Sequence, residues 1–328
     1  MFYTHMKLNL AFLLGICLLV SCETVADNLC PEVARRCEMS YRFADVDEGA
    51  ALLLDNDSYF NKLTPTDMEI RMGDTDATLD EYKAFAAQQV RGISDADRAA
   101  LVASLERVRS KFDDLGLSFP IDQEIVIVLT TMEEEAGAGA YTHKNRIFLG
   151  DFLARYARGT KEQQQACDLT MAHEIFHVLT RNSPRFRRAM YAVIGFTLCQ
   201  EPLFSDELRQ HIITNPDIEQ YDCKATFTID GQPTECTVVN YLPDEWNRSG
   251  SFFRSMLSGV VPIDQPDRFY PASEVPDFWQ VMGRNSDYAI GAEECMAENF
   301  SMAVVYGEDH DYPSPHIIRQ VLDVLRSF

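Results

Sequence analysis

The stretch LTMAHEIFHVLTR, residues 169–181, holds His173 and His177 four positions apart, with Glu174 beside the first. On an α-helix such residues lie one turn apart on one face, so both imidazoles can reach a single zinc ion. Glu174 is rotated toward the coordination position left open, where it can serve as general base toward a zinc-activated water. The pattern arises by chance in about one chain in a hundred of this length and composition. Its apolar neighbours Leu169, Ile175, Phe176, Val178 and Leu179 predict a buried helix rather than a surface coincidence.

Two histidines leave an open zinc site one protein ligand short. The residues after His177, VLTRNSPRF, contain no third histidine. The best donor lies far downstream in AEECMAENF, residues 292–300, where Glu294 and Glu298 share one helical face. Glu294 is the expected third ligand. Glu298, one turn on, is expected to accept the other ring proton of His173 and fix its orientation. Glu293 points elsewhere on that helix and is the weaker ligand candidate. The bland alternative is an acidic patch at a helix start, satisfied by solvent and the helix dipole. The missing ligand of the HEIFH helix weighs against it.

The pattern HExxH, a long gap, then ExxxE resembles the gluzincin metallopeptidases, the thermolysin family. There a glutamate on a later helix is the third ligand and an acidic residue four on supports the first histidine, roles that match Glu294 and Glu298. Locally, EECMAENF is similar to the E-x-x-A-E-x-F helix of the anthrax-lethal-factor type of catalytic domain, through Glu294, Ala297, Glu298 and Phe300. That group carries a tyrosine shortly before the glutamate; Tyr288 is the nearest match, one residue short in offset, and the resemblance implies a transition-state role for it. GAYTHKNRIFLG, residues 139–150, resembles the edge strand that aligns a substrate backbone in zincin folds. The resemblance covers about residues 120–180 and 285–305. It implies a zincin-like α+β fold: a twisted mixed sheet over the HExxH helix, with a mainly helical second half. It also implies one bound Zn2+ and zinc-dependent endopeptidase activity on a peptide or protein substrate. The rivals are a zinc amidase acting on cell-wall peptide, and a non-catalytic exported binding protein retaining a zinc site. The intact Glu174 speaks against the second, because structural zinc does not need it.

Outward from the motif, QEIVIVLTT contains the best strand, and its unbroken apolar run predicts burial on both faces. RIFLG predicts a short strand after the polar, Gly-rich EEEAGAGAYTHKN. In SDADRAALVASLERVRSKFDDL, Ser94 is the expected cap, and Leu101, Leu105, Val108 and Phe112 fall on one face. LDEYKAFAAQQV predicts a shorter helix, and Thr66 with Glu69 has capping-box spacing. Residues 45–118 thus form a helical N-terminal region, and 119–328 the catalytic domain. About 201–285 is an irregular, turn-rich insertion in which Asp230 and Gly231 mark a hairpin. MYAVIGFTL, 190–198, is expected as a core helix beside the metal helix, and SPHIIRQVLDVLRSF as the last helix.

The N-terminus reads as a targeting segment. A short basic start and the apolar run Leu8–Val20 fit a signal peptide, 1–21, too short to span a membrane. Leu19-Val20-Ser21-Cys22 resembles a bacterial lipobox, making Cys22 the lipidation site and 22–44 a tether. The expected location is the outer membrane facing the periplasm, or the cell surface, with membrane contact only through that anchor. A net charge of -22 predicts no nucleic-acid partner. An exported compartment permits disulfides, and the natural pairs are Cys30–Cys37, Cys223–Cys236 and Cys167–Cys199, with Cys295 unassigned. His143 is expected at the surface and Tyr141 near the cleft. His211, His310 and His316 have no partner spacing. Arg181, Arg185, Arg187 and Arg188 are expected to balance charge at the helix end or in ion pairs.

Overall fold

Ile125–Thr130 is buried at all six positions because two cores meet on it. Ile125, Ile127 and Leu129 face one, Val126 and Val128 the other. The alternation follows from the period of two that sends successive side chains to opposite faces of a sheet.

The computed structural model describes residues 39–117, 119–243, 246 and 252–328, which belong to one compact unit. In chain order the first elements are β1 (Tyr41–Phe43), α1 (Val46–Leu54), α2 (Asp57–Phe60), α3 (Pro65–Met72), α4 (Leu79–Ala87), β2 (Val90–Arg91), α5 (Asp95–Asp114) and β3 (Ile125–Thr130). There follow β4 (Ala140–His143), β5 (Arg146–Gly150), α6 (Asp151–Ala157), α7 (Lys161–Asn182), α8 (Pro184–Val193), β6 (Thr197–Leu198) and α9 (Asp206–His211). The chain ends with β7 (Cys223–Ile229), β8 (Gln232–Tyr241), β9 (Leu257–Pro262), β10 (Tyr270–Pro271), α10 (Phe278–Met282), α11 (Ala292–Tyr306) and α12 (Pro315–Arg326). The fold is α+β.

The first sheet runs β1-β3-β5-β4, with β2 also on β3. β1, β3 and β5 are parallel, and β4 closes one edge antiparallel to β5. Helices α5 and α7 pack with the Ile125 side, and residues of α1 to α4 with the Val126 side. As expected, Ser94 caps α5, and Leu101, Leu105, Val108 and Phe112 are buried. Residues 41–43, assigned above to the tether, instead form β1, and the helical N-terminal region lends β2 to the sheet. The cap of α3 is Thr64 with Asp67, two positions before the expected pair, because Pro65 takes the first helical position, where its missing N–H costs nothing.

The stretch read as irregular supplies four of the five strands of a second sheet, β10-β9-β8-β7-β6, antiparallel throughout, with β6 just before it. Its β7–β8 hairpin turns at Asp230 and Gly231, both at positive φ (51° and 75°), as the two-residue primed turn requires. Alternation is weak in β8, which is why periodicity missed it: five consecutive residues, 236–240, are buried. The stretch 190–198 is only partly helical, since α8 stops at Val193 and Gly195 turns the chain at φ 78°.

Two expected disulfides are not formed: Cys167, Cys199, Cys223 and Cys236 are free, as is Cys295. In the hairpin register Cys236 faces Ala225, so Cys223 sits two residues along, a diagonal separation of about 7–8 Å that no disulfide spans. Cys167 is buried on α7 beside Ser104, while Cys199 lies on the second sheet with Lys224 and Asp222 around it. The signal segment, Cys22, Cys30 and Cys37 lie outside the described residues. Among the described residues no helix is long and apolar enough to cross a membrane.

The acidic run after β3 turns inward. Glu135 accepts hydrogen bonds from Tyr59, Tyr82 and Arg71. Glu134, 1% exposed, accepts one from the Tyr141 hydroxyl at 3.0 Å. Burial pushes the Glu134 carboxyl up to about 7. A carboxyl raised in the folded state contributes stability below its ordinary pKa, and that contribution is lost as pH rises through the folded value. Glu134→Gln should therefore melt higher than wild type at pH 8, by roughly 3 kcal/mol of stability, and match it near pH 4. Equal melting shifts at both pH values would refute this.

Candidate metal centre

α7 is a 22-residue helix capped by Thr160 and Gln163, and it is wedged between the first sheet and α11. Its long buried face carries polar residues where neighbouring elements answer them: Asp168 by Ser104 and Arg107 of α5, Glu174 by Thr142 of β4, and the two histidines by α11. His173 and His177 lie on that face with ring centroids 4.8 Å apart. α11 meets them with Glu293, Glu294 and Glu298.

Each imidazole is held from behind and points forward. His173 Nδ1 is 3.0 Å from Glu298 Oε1, and Glu298 Oε2 accepts from the Ser286 hydroxyl at 2.8 Å. His177 Nδ1 is 2.8 Å from Glu293 Oε1. Glu293 also accepts from Thr180 and from the Tyr191 hydroxyl. With both Nδ1–H groups donating to carboxylates, both Nε2 lone pairs face Glu294, whose Oε2 lies 3.1 Å from His173 Nε2 and 3.6 Å from His177 Nε2. Glu294 Oε1 in turn accepts from Asn215 Nδ2 at 2.7 Å.

The donor set fits a zinc ion. Bonds of 2.0–2.2 Å at a tetrahedral centre place neighbouring donor atoms roughly 3.3–3.6 Å apart, close to the 3.1 and 3.6 Å found. His177 Nε2 is fully buried and has no hydrogen-bond partner, which suits a nitrogen whose lone pair would serve a metal ion. The charges agree. Burial alone would pull both imidazoles toward the neutral form. Hydrogen bonds to Glu294 and Glu298 outweigh it at His173, and the Asp217 charge with the Glu293 and Glu294 contacts raises His177 to about 10. Burial would raise the Glu294 carboxyl, but the two imidazoles hold it well below the usual range. The cluster is thus short of positive charge, which a divalent cation would supply.

Glu174, 3% exposed, lies beside this cluster, and its Oε2 accepts from the Thr142 hydroxyl at 2.8 Å. Burial raises its carboxyl, more than the positive charges on His177 and His173 lower it. The centre opens on a cavity of about 410 Å³ walled by Gly137–Ala140, Leu169, Asp217, Phe253, Tyr288 and Met302. Tyr288 is half-buried in that wall, its ring centroid 6.5 Å from that of His173.

The structure brings together every expected site residue that it describes: His173, Glu174, His177, Glu294, Glu298 and Tyr288. Cys22 lies outside the described residues. Glu293 has a different place from the one expected. It is not turned away but orients His177, because α11 packs along α7 with Glu293 against His177 Nδ1 and Glu298, five residues on, against His173 Nδ1. Thr142, Asn215 and Asp217 were not foreseen; they come from an edge strand and a loop with no helical spacing to betray them. His143 is 1% exposed rather than at the surface, accepting from Asn56 Nδ2 at 2.7 Å, and burial drives its pKa well down. Tyr141 is buried, donates to Glu134, and lines a smaller pocket that shares Ala140, Asp217 and Tyr288 with the site cavity, near the cleft as expected. Of the arginines, Arg187 pairs with Asp222, and Arg181 donates to the Pro216 carbonyl at 3.1 Å. Compared with protein-family models, curated proteins and solved structures, the chain finds no match.

Proposed function

We propose that this chain is a zinc-dependent endopeptidase of the zincin type, with His173, His177 and Glu294 as metal ligands and Glu174 as general base. The observation that carries the reading is the buried, unpartnered His177 Nε2 aimed at the Glu294 carboxylate while its Nδ1 is held by Glu293. That arrangement has the backing carboxylates that ligating histidines use to set their tautomer. Zinc held there supplies a Lewis acid that polarises a carbonyl and acidifies water.

The protein's own groups do the rest. Thr142 orients Glu174, which takes a proton from the attacking water and delivers it to the departing amine. The Tyr288 hydroxyl, in the wall of the same cavity, is available to donate to the oxygen on which charge develops. The edge strand β4 and the preceding Gly137–Gly139 border the cavity, which suits an extended peptide backbone laid beside the sheet. The antiparallel edge strand next to the HExxH helix also supports the zincin reading.

The test is metal analysis joined to cleavage of a peptide library. One zinc per chain is expected, with cleavage abolished by chelation and restored by added zinc. Cleavage that survives complete metal removal would sink the proposal.

A further inference from the structure

The atom that carries the zinc reading has a second carboxylate neighbour. His177 Nε2, an oxygen of Glu174 and an oxygen of Asp217 lie within 4.8 Å of one another, and Asp217 Oδ1 is 4.0 Å from Nε2. Asp217 belongs to the second-sheet region, yet it is 7% exposed inside the catalytic cavity.

We propose that Asp217 is a fourth protein ligand, closing in the resting chain the coordination position beside Glu174 that a substrate must take. The inference rests on the zinc site proposed above. Three observations carry it. First, Asp217 is a buried carboxylate whose one guanidinium partner stands off: its Oδ1 accepts from the Thr142 N–H at 2.7 Å, whereas Arg181 forms only a long ion pair at 3.8 Å and gives its hydrogen bond to the Pro216 carbonyl. Buried charges are paired or coordinate metals. Second, the orphan nitrogen of His177 has Glu294 Oε2 at 3.6 Å and Asp217 Oδ1 at 4.0 Å, so both carboxylates are near the atom left without a hydrogen-bond partner. Third, the Thr142 N–H occupied by Asp217 points outward from edge strand β4, where a bound peptide backbone would make its own hydrogen bond. One side chain therefore covers both the metal position and a substrate-pairing position.

The loop that delivers Asp217 is tied down. Thr214 N and Oγ1 donate to Asp67 at 3.0 and 2.7 Å, and Arg71 Nη2 donates to the Thr214 carbonyl at 2.7 Å. Asn215 binds Glu294 through Nδ2 and accepts from Asp217 N through Oδ1, at 2.7 Å each. With its backbone anchored, release falls to rotation of the Asp217 side chain.

The test uses the full chain loaded with Co2+, whose visible spectrum reports coordination, titrated with acetohydroxamate. If Asp217 holds the position about nine-tenths of the time, the wild type needs about tenfold more hydroxamate than D217A to change its spectrum. D217N keeps an oxygen for the Thr142 N–H and so guards against a folding defect; it should shift the same way as D217A. Equal hydroxamate sensitivity in wild type and D217N, both taking up one Co2+, would overturn this inference alone. Failure of the wild type to take up Co2+ or zinc would instead remove the zinc site itself, and the inference with it.

Discussion

Glu174→Gln is expected to retain one zinc per chain and to lose about a thousandfold in kcat with little change in KM. Gln has nearly the same shape, and its amide oxygen can still accept the Thr142 hydroxyl that Glu174 Oε2 accepts at 2.8 Å. The neighbouring imidazoles and Glu294 are untouched, so metal binding should persist. What disappears is the ability to take a proton. General-base catalysis contributes about 10²–10⁴ in rate, and a thousandfold corresponds to roughly 4 kcal/mol of barrier. The site also favours Glu174 as a base, because burial raises its carboxyl above the ordinary range and brings proton affinity nearer to that of the reacting water. Single-turnover cleavage with metal content measured on the same sample decides it. Wild-type turnover in the zinc-loaded variant would remove Glu174 from the mechanism.

How far the sequence carried depends on how local each signal is. HEIFH and the ExxxE of α11 could be read because helical periodicity converts spacing into facing, and facing is what brings His173, His177 and Glu294 together. Strand β3 could be read because a strand buried on both faces needs an unbroken apolar run. Glu293 was misjudged for the same reason that Glu294 was found: periodicity describes one helix, whereas the partner of Glu293 is set by how α11 crosses α7. Thr142, Asn215 and Asp217 have no period at all. Their positions depend on β4 lying at a sheet edge and on the 213–217 loop being fastened to Asp67 and Arg71, contacts across about 145 residues of chain. His143 was read as surface because it is polar, and Glu134 and Glu135 lay in a stretch noted only as polar and Gly-rich, yet Asn56, Tyr141, Arg71 and Tyr59 satisfy the three of them inside. Burial of polar groups follows from partners that fold in from elsewhere, and a linear pattern does not contain them.

Those crossing contacts make α11 the place for the second large effect. Glu294→Ala should weaken zinc binding about a hundredfold to a thousandfold: binding of roughly 10–16 kcal/mol to a four-ligand site is about 3 kcal/mol per ligand. Glu293→Ala and Glu298→Ala remove the carboxylates behind His177 and His173 instead, for which about 10- to 100-fold is expected. These two variants differ in their second effect. Glu293 is 6% exposed and also accepts from Thr180 and Tyr191, so its loss strands buried hydroxyls and should lower stability by about 1–3 kcal/mol even without metal. Glu298, on the cavity side with Ser286 as its other partner, is more exposed, with 26% of its side chain accessible, and its removal should cost less stability. Zinc competition titrations and melting curves on the three apo variants separate ligand from support. If E294A binds zinc as wild type does while E293A loses it, the third ligand is Glu293, and His177 must turn over to meet it.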